Sequence, residues 1–139
     1  MIVLCLPILI YLVLNKKGNK PIPATTDKEI TDELSPIVKD FFNQIKMSNY
    51  QQATIKFDEQ MKQQMPPSEL ANLSTQLDNQ IGQLIELGAP TLKQKNNIIL
   101  EYNSKFEKEN DVNIQVVFKK YPDGYKISGL WFDSNKLSN

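Results

Sequence analysis

The stretch that decides the fold is VFKKYPDGYKISGLWF, residues Val117–Phe132. Two runs rich in β-branched and aromatic residues flank the sequence Pro-Asp-Gly at Pro122–Gly124. Proline and glycine in this arrangement are typical of a tight turn, and β-branched and aromatic residues favour strands. The stretch therefore predicts a β-hairpin.

The second strand of this hairpin carries apolar residues on both faces. Strict alternation places Trp131 on one face, where we expect it to anchor the core against helices, and Leu130 and Phe132 on the other face, without an obvious cover. A sheet that is apolar on both faces has either a second covering layer or a surface that binds a partner. Aromatic residues of the strands could also line a ligand pocket, although aromatic residues at such inward positions more often belong to the core. The predicted residues for binding a ligand or a partner are Tyr102, Leu130, Trp131 and Phe132.

The region before the strands has helical periodicity. Thr26 and Glu29 form a candidate capping box, and apolar residues then recur at helical spacing as far as Ile45. A short second helix is predicted from Tyr50, and Ser68 is a candidate cap of a third helix that carries a stripe of leucines.

Beyond Gly82 the apolar period changes to two. This predicts a short strand at Leu84–Leu87 and longer strands that begin near Ile98, Val112 and Tyr125, with a turn at Glu109–Asp111. Helices followed by consecutive strands indicate an α+β domain, in which N-terminal helices cover one face of an antiparallel meander sheet of about four strands. We place this domain at residues 27–135.

The N-terminal run Ile2–Leu14 is almost continuously apolar. It is short for a bilayer span, which needs about 20 residues, and matches the length of a signal-peptide hydrophobic region. However, no basic segment precedes it and no small-residue cleavage site follows it before Lys16. A membrane anchor whose true start lies upstream, a cleaved signal and a buried core helix are the alternatives.

We expect residues 1–15 to be an apolar anchor helix or signal segment that contacts the membrane through residues 2–14. Residues 16–26, with Gly18 and two prolines, are expected to be a polar linker. The domain itself is expected to lie outside the cytoplasm, although the lysines after the apolar run would favour the opposite orientation under the positive-inside rule.

Composition excludes several chemistries. The chain contains no histidine and no arginine, and its 16 basic and 16 acidic residues give a formal net charge of zero. Without histidine it lacks the commonest general base and metal ligand, and without arginine or net positive charge a nucleic-acid partner is not expected. Cys5 is the single cysteine, so neither an intramolecular disulfide nor a cysteine cluster for zinc can form. We therefore expect no cofactor and no metal.

The order of these segments resembles a bacterial family of small uncharacterised DUF-type domains. The resemblance rests on Ser48–Tyr50 after the first helix, on Ala53, Phe57, Asp58 and Met61, and on Lys126–Leu130 in the last strand. The family usually carries a tryptophan in the third helix, where this chain has Ser74. The resemblance implies the cone-shaped, cystatin-like fold of nuclear transport factor two, with a curved sheet, a pocket at its open end and frequent export or lipid anchoring.

Three functions follow as hypotheses. The first is a membrane-tethered, extracytoplasmic and non-enzymatic domain that binds a protein partner or a small apolar ligand. The second is a structural accessory subunit of a membrane complex. The third is a pocket enzyme that pairs Asp58 as a base with Tyr102 as a donor, against which stands the simpler interpretation that Asp58 is solvated.

Overall fold

A computed structural model of the chain describes residues 2–3, 26–94 and 97–137. Four helices lie in this part of the chain, and they precede all but the first of its strands. They are α1 (Asp27–Lys46), α2 (Tyr50–Thr54), α3 (Glu59–Gln64) and α4 (Pro67–Gln80).

The strands form one open antiparallel sheet, in which five strands of three residues or more are extended by a two-residue strand. The strands are β1 (Ile2–Val3), β2 (Leu84–Glu86), β3 (Pro90–Gln94), β4 (Ile98–Phe106), β5 (Glu109–Tyr121) and β6 (Gly124–Asp133). Their order across the sheet is β1-β6-β5-β4-β2, and β3 pairs with β4 on the same edge as β2. The predicted α+β class and the antiparallel sheet are thus confirmed, and β1 and β3 are additional to the four strands expected.

Local sequence explains where the first helix begins and what it buries. Thr26 and Glu29 form the predicted capping box, with reciprocal side-chain bonds to each other's backbone N–H groups at 3.1 Å. The helix runs without a break through Pro36. Its buried stripe packs into the core that the helices share with the inner face of the sheet. The buried residues of this stripe are Ile30, Leu34, Val38 and Phe41.

A β-bulge in β6 reverses the predicted faces of the last strand. The cross-strand partner of Phe118 is Ile127, but the partner of the preceding Val117 is Gly129, so β6 has one extra residue at Ser128. Beyond the bulge every side chain points to the face opposite to the one that strict alternation predicts. The predicted orientations were wrong: Leu130 and Phe132 are buried in the core, and Trp131 lies half-buried on the outer face. The face of Trp131 is the outer one, because its cross-strand partner is Gln115 on β5. Gln115 lies between Ile114 and Val116, whose side chains point into the core.

Two elements had no prediction, and one turn was misplaced. The helix α3 carries a single buried apolar residue, Met61, and therefore shows no periodicity. The edge strand β3 begins with Pro90 and is largely exposed. The turn between β4 and β5 lies at Glu107–Lys108 rather than at Glu109–Asp111, because Phe106 pairs with Glu109.

Little of the predicted anchor falls within the described residues. Ile2–Val3 form β1 and pair with Phe132 and Trp131 at the edge of the sheet, so the anchor helix is not supported at these two positions. The remainder of residues 1–15 and almost all of the linker at 16–26 lie outside the described residues. Across residues 26–94 and 97–137, no helix is both long and apolar enough to cross a membrane.

Candidate ligand-binding cavity

A half-open cavity of about 270 Å³ lies between α1, α4 and β2, and its floor is formed by residues of β4 and β6. This volume is near the lower end of the range for small-molecule sites. The cavity forms where the buried stripes of α1 and α4 leave the core and continue onto the surface of the helices. The apolar lining residues are Phe42, Ile45, Tyr50, Leu70, Leu73, Leu77, Leu84, Ile85, Leu87, Phe106 and Phe132.

The solvent exposure of the apolar lining residues increases from the interior to the mouth of the cavity. Leu70, Phe106 and Phe132 are buried, whereas five further apolar residues are only partly buried although they pack on the core. Ile85 is 65% exposed, more than any other large apolar residue in the described part of the chain. Exposed apolar surface that continues into a concave site is typical of binding sites. The five partly buried residues are Phe42, Ile45, Tyr50, Leu84 and Leu87.

Aromatic packing fixes the floor of the cavity. The rings of Phe42 on α1 and Phe132 on β6 meet edge to face, with their centroids 6.2 Å apart. Phe42 also packs edge to face on Phe41, at 5.1 Å. Since Phe41 is fully buried, the cavity wall at Phe42 is held by the core.

The basic groups of the cavity lie on α1. Lys39, Asn43 and Lys46 follow one another at steps of four and three residues, which places them on one face of the helix. Neither lysine forms an ion pair with any residue that the structure describes, whereas six other lysines do. On the α4 side the charged lining residue is Asp78, which is exposed.

One of the four predicted binding residues lines the cavity. Phe132 does so from the core side, while Leu130 and Tyr102 are fully buried away from it. Trp131 lies on the opposite face of the sheet, where its ring packs over Gly129: a Cβ at that position would lie 2.6 Å from Cζ3 of the indole. The structure therefore does not bring the four residues together in one site.

Tyr102 is a core residue with an unusual hydroxyl. The side chain is 1% exposed, and its hydroxyl has no hydrogen-bond partner among the described residues. Burial raises the pKa of the Tyr102 phenol. The hydroxyl of Ser35 offsets part of that rise in pKa, although the two hydroxyl groups do not meet in hydrogen-bond geometry. A buried phenol of this kind contributes to packing.

Asp58 is buried and fully engaged in the structure, which corrects the interpretation that it is solvated. Its Oδ1 accepts the backbone N–H of Met61 at 2.8 Å and so caps α3, and its Oδ2 accepts the hydroxyl of Tyr121 at 2.8 Å. The tyrosine that binds Asp58 is therefore Tyr121 rather than Tyr102. Neither Asp58 nor Tyr102 lines the cavity. The structure therefore does not bring Asp58 and Tyr102 together in this cavity.

The sequence did carry a signal for the cavity. Phe42 and Ile45 continue the apolar stripe of α1 beyond its buried part, and Lys39 and Lys46 flank Phe42 on that side of the helix. When the apolar stripe of a helix extends beyond the residues that the core buries, the helix can cover a second apolar surface. Within the described ranges, no group of histidine, cysteine or acidic side chains is arranged to hold a metal ion.

The fold is that of a small α+β domain with helices on one face of an open antiparallel sheet and a cavity between α1, α4 and β2. The sequence model of DUF3887, a family described as proteins of unknown function, matches residues 38–130. This chain therefore belongs to the DUF3887 family. The matched region begins within α1 and ends in β6, so it includes α2, α3, α4 and most of the sheet. Neither a curated protein nor a solved structure matches the chain.

Proposed function

We propose that this chain is a non-enzymatic binding domain that takes a small apolar molecule into the cavity between α1, α4 and β2. The single observation that carries the proposal is the apolar lining, which runs from the buried Phe132 to the largely exposed Ile85. Burial of a ligand against this surface would be favoured by about 25 cal/mol for each Å² of apolar area removed from water.

The proposal includes the cone-shaped fold related to nuclear transport factor two. Helices on one face of an open antiparallel sheet, with a cavity between the two layers, support this relation. It also includes the membrane tether: the apolar run that continues beyond β1 as far as Leu14 would hold the domain at the membrane, on its extracytoplasmic side. Protease protection of the full chain in intact cells and in inside-out vesicles would test that orientation.

Binding can be tested with N-phenyl-1-naphthylamine, a neutral apolar probe whose fluorescence rises on leaving water. Ser74 lies on α4, is half-buried and lines the cavity, so Ser74→Trp should fill it. Gln76→Trp places the same side chain on an exposed position of the same helix that does not line the cavity, and it serves as the control.

We expect the native chain and Gln76→Trp to bind the probe, and Ser74→Trp to lose binding while keeping the native far-ultraviolet circular dichroism. An absence of binding by the native chain would end the proposal. Equal binding by both folded variants would show that the probe binds elsewhere.

A protein partner is the second candidate, and one observation favours it. On the outer face of the sheet, Ile99 pairs with Val117 and Val117 pairs with Gly129, over which the half-exposed Trp131 packs. This apolar strip is the surface that an accessory subunit of a membrane complex would present. Trp131→Ser should then release a partner that co-purifies with the full anchored chain, without any effect on probe binding in the cavity.

A further inference from the structure

The polar residues of the cavity are unevenly placed, and this asymmetry bears on the ligand class. Lys39 and Lys46 are seven positions apart on α1, which is close to two helical turns, so their side chains leave the same face. Asn43 lies between them on that face. The α1 side of the cavity therefore presents two ammonium groups and one amide.

Neither of these two lysines forms an ion pair with a described residue. Lys28 on the same helix binds Asp32, and Asp40 is engaged by Lys56 at 3.0 Å, but Lys39 and Lys46 take part in none of the six ion pairs. Their alkyl stems can lie along apolar surface while the charged ends remain in water at the mouth. The mouth thus combines apolar contact with unpaired positive charge.

The opposite lip of the cavity is not basic. Asp78, near the end of α4, is exposed and has no ion pair with the described residues. A negatively charged group would be attracted to the α1 lip and repelled from the α4 lip, which fixes the direction in which an amphiphile enters. The buried leucines and phenylalanines of the interior provide no polar partner, so the charged end must stay at the mouth.

We propose that the ligand of this cavity is a single-chain anionic amphiphile. Its apolar chain lies against Leu73, Leu77 and Phe132, and its carboxylate or phosphate lies at the mouth between Lys39 and Lys46. Asn43 is placed to donate a hydrogen bond to the same group. This inference rests on the proposed function, since it requires the cavity to bind an apolar chain.

The test uses three ligands with the same chain and different head groups: decanoate, decan-1-ol and decyltrimethylammonium. Each is titrated against the complex of N-phenyl-1-naphthylamine with the full-length chain at neutral pH, with the two ionic ligands below their micelle concentrations and decan-1-ol below its solubility limit. Decanoate is expected to bind most tightly and decyltrimethylammonium most weakly. The double variant Lys39→Met, Lys46→Met should weaken decanoate about five-fold, as expected for the loss of two solvent-exposed ion pairs, and leave decan-1-ol unchanged.

Lys119→Met is the matched control, because Lys119 is exposed on β5 and does not line the cavity. It should leave the affinity for all three ligands unchanged. The charge-reversed variant Lys39→Glu, Lys46→Glu should bind decyltrimethylammonium more tightly than decanoate. Asp78→Asn should strengthen decanoate binding, since it removes the repelling carboxylate.

The possible outcomes separate the two proposals. If N-phenyl-1-naphthylamine does not bind the native chain, the cavity does not take an apolar molecule and the proposed function fails. If the probe binds but none of the three ligands displaces it, cavity binding stands and the single-chain amphiphile is wrong. If decanoate and decan-1-ol bind the native chain equally, or if the double methionine variant binds decanoate as the native chain does, cavity binding stands and the anionic head group is wrong.

Discussion

The hydroxyl of Tyr121 donates a 2.8 Å hydrogen bond to Oδ2 of Asp58, across 63 residues of sequence. The same carboxylate caps α3 through the backbone N–H of Met61. The backbone N–H of Asp58 also donates to the carbonyl of Ile127, at 2.9 Å. One buried aspartate therefore joins the start of a helix to the end of β5 and to the middle of β6.

Removal of the Tyr121 hydroxyl should destabilise the domain. In Tyr121→Phe, Asp58 still caps α3 but loses the hydrogen bond from the Tyr121 hydroxyl. Hydrogen bonds to charged groups contribute about 1.5–3 kcal/mol. Urea denaturation should show a loss of this size in the free energy of unfolding. Tyr125→Phe is the control, because the Tyr125 hydroxyl donates to none of the described residues and its ring keeps the contact with Lys120. A Tyr121→Phe variant as stable as Tyr125→Phe would contradict the prediction.

The Tyr102 hydroxyl should behave in the opposite way. It is buried without a hydrogen-bond partner in the described structure, so Tyr102→Phe removes a desolvated group and leaves the packing of the ring intact. We expect the urea midpoint to stay the same or to rise. A destabilisation above about 1 kcal/mol would instead indicate that the hydroxyl has a partner in the native protein.

Alkaline pH should destabilise the domain through Tyr121. Burial, the hydrogen bond to Asp58 and the negative charge of Asp58 together raise the pKa of Tyr121 from 10.0 to about 12. In the unfolded chain the phenol loses its proton first, so its contribution to stability is complete below pH 10 and is lost as the pH rises through 12. The free energy of unfolding should fall more steeply over this range in the native chain than in Tyr121→Phe, as measured by urea denaturation at several pH values. Parallel curves would contradict the assignment.

The periodicity of the sequence predicts the helices α1 and α4 and the three long strands, because each buries a complete apolar face. It does not predict the side chains that the last strand buries. The alternation pattern is lost at Ser128, where one inserted residue moves Leu130 and Phe132 into the core and Trp131 out of it. The adjacent Gly129 is compatible with a bulge, but glycine is equally compatible with a regular strand under a packed ring.

Substitutions in β6 should distinguish the bulged strand from a regular one. Because Leu130 and Phe132 are fully buried, Leu130→Ser and Phe132→Ser should each cost about 3–5 kcal/mol. Trp131→Ser should cost less, since that side chain is half-exposed on the outer face. Strict alternation predicts the reverse order. The comparison requires only the urea midpoints of the three variants, followed by circular dichroism because one variant lacks the tryptophan.

Local patterns also miss the elements that depend on long-range contacts. The helix α3 begins at Glu59, and Asp58 before it is a recognisable N-cap, but the helix sequence EQMKQQ has no apolar stripe. The edge strand β3 is recognised only through its pairing with β4. The volume of the cavity likewise depends on the distance between α1 and α4. The apolar stripes of the two helices do not give that distance.

The junction between β2 and β3 gives the last prediction. Both strands pair with β4, and Gly88 lies where the chain passes directly against that strand. A Cβ at Gly88 would overlap the carbonyl oxygen of Asn103, a backbone atom that cannot move without displacing β4. At Gly129 the nearest atoms belong to side chains instead: the ring of the partly exposed Trp131, and the Cβ of Val117 at 3.3 Å.

Gly88→Ala should therefore cost about 3 kcal/mol or more, and Gly129→Ala clearly less, although both place the same methyl group on the sheet. Hydrogen exchange should locate the difference. In Gly88→Ala the amides of β3 should exchange faster because the edge separates from β4, whereas in Gly129→Ala they should keep their protection. Equal stability of the two variants would mean that the edge of the sheet can shift away from Asn103, and that Gly88 does not fix the position of β2 and β3 on β4.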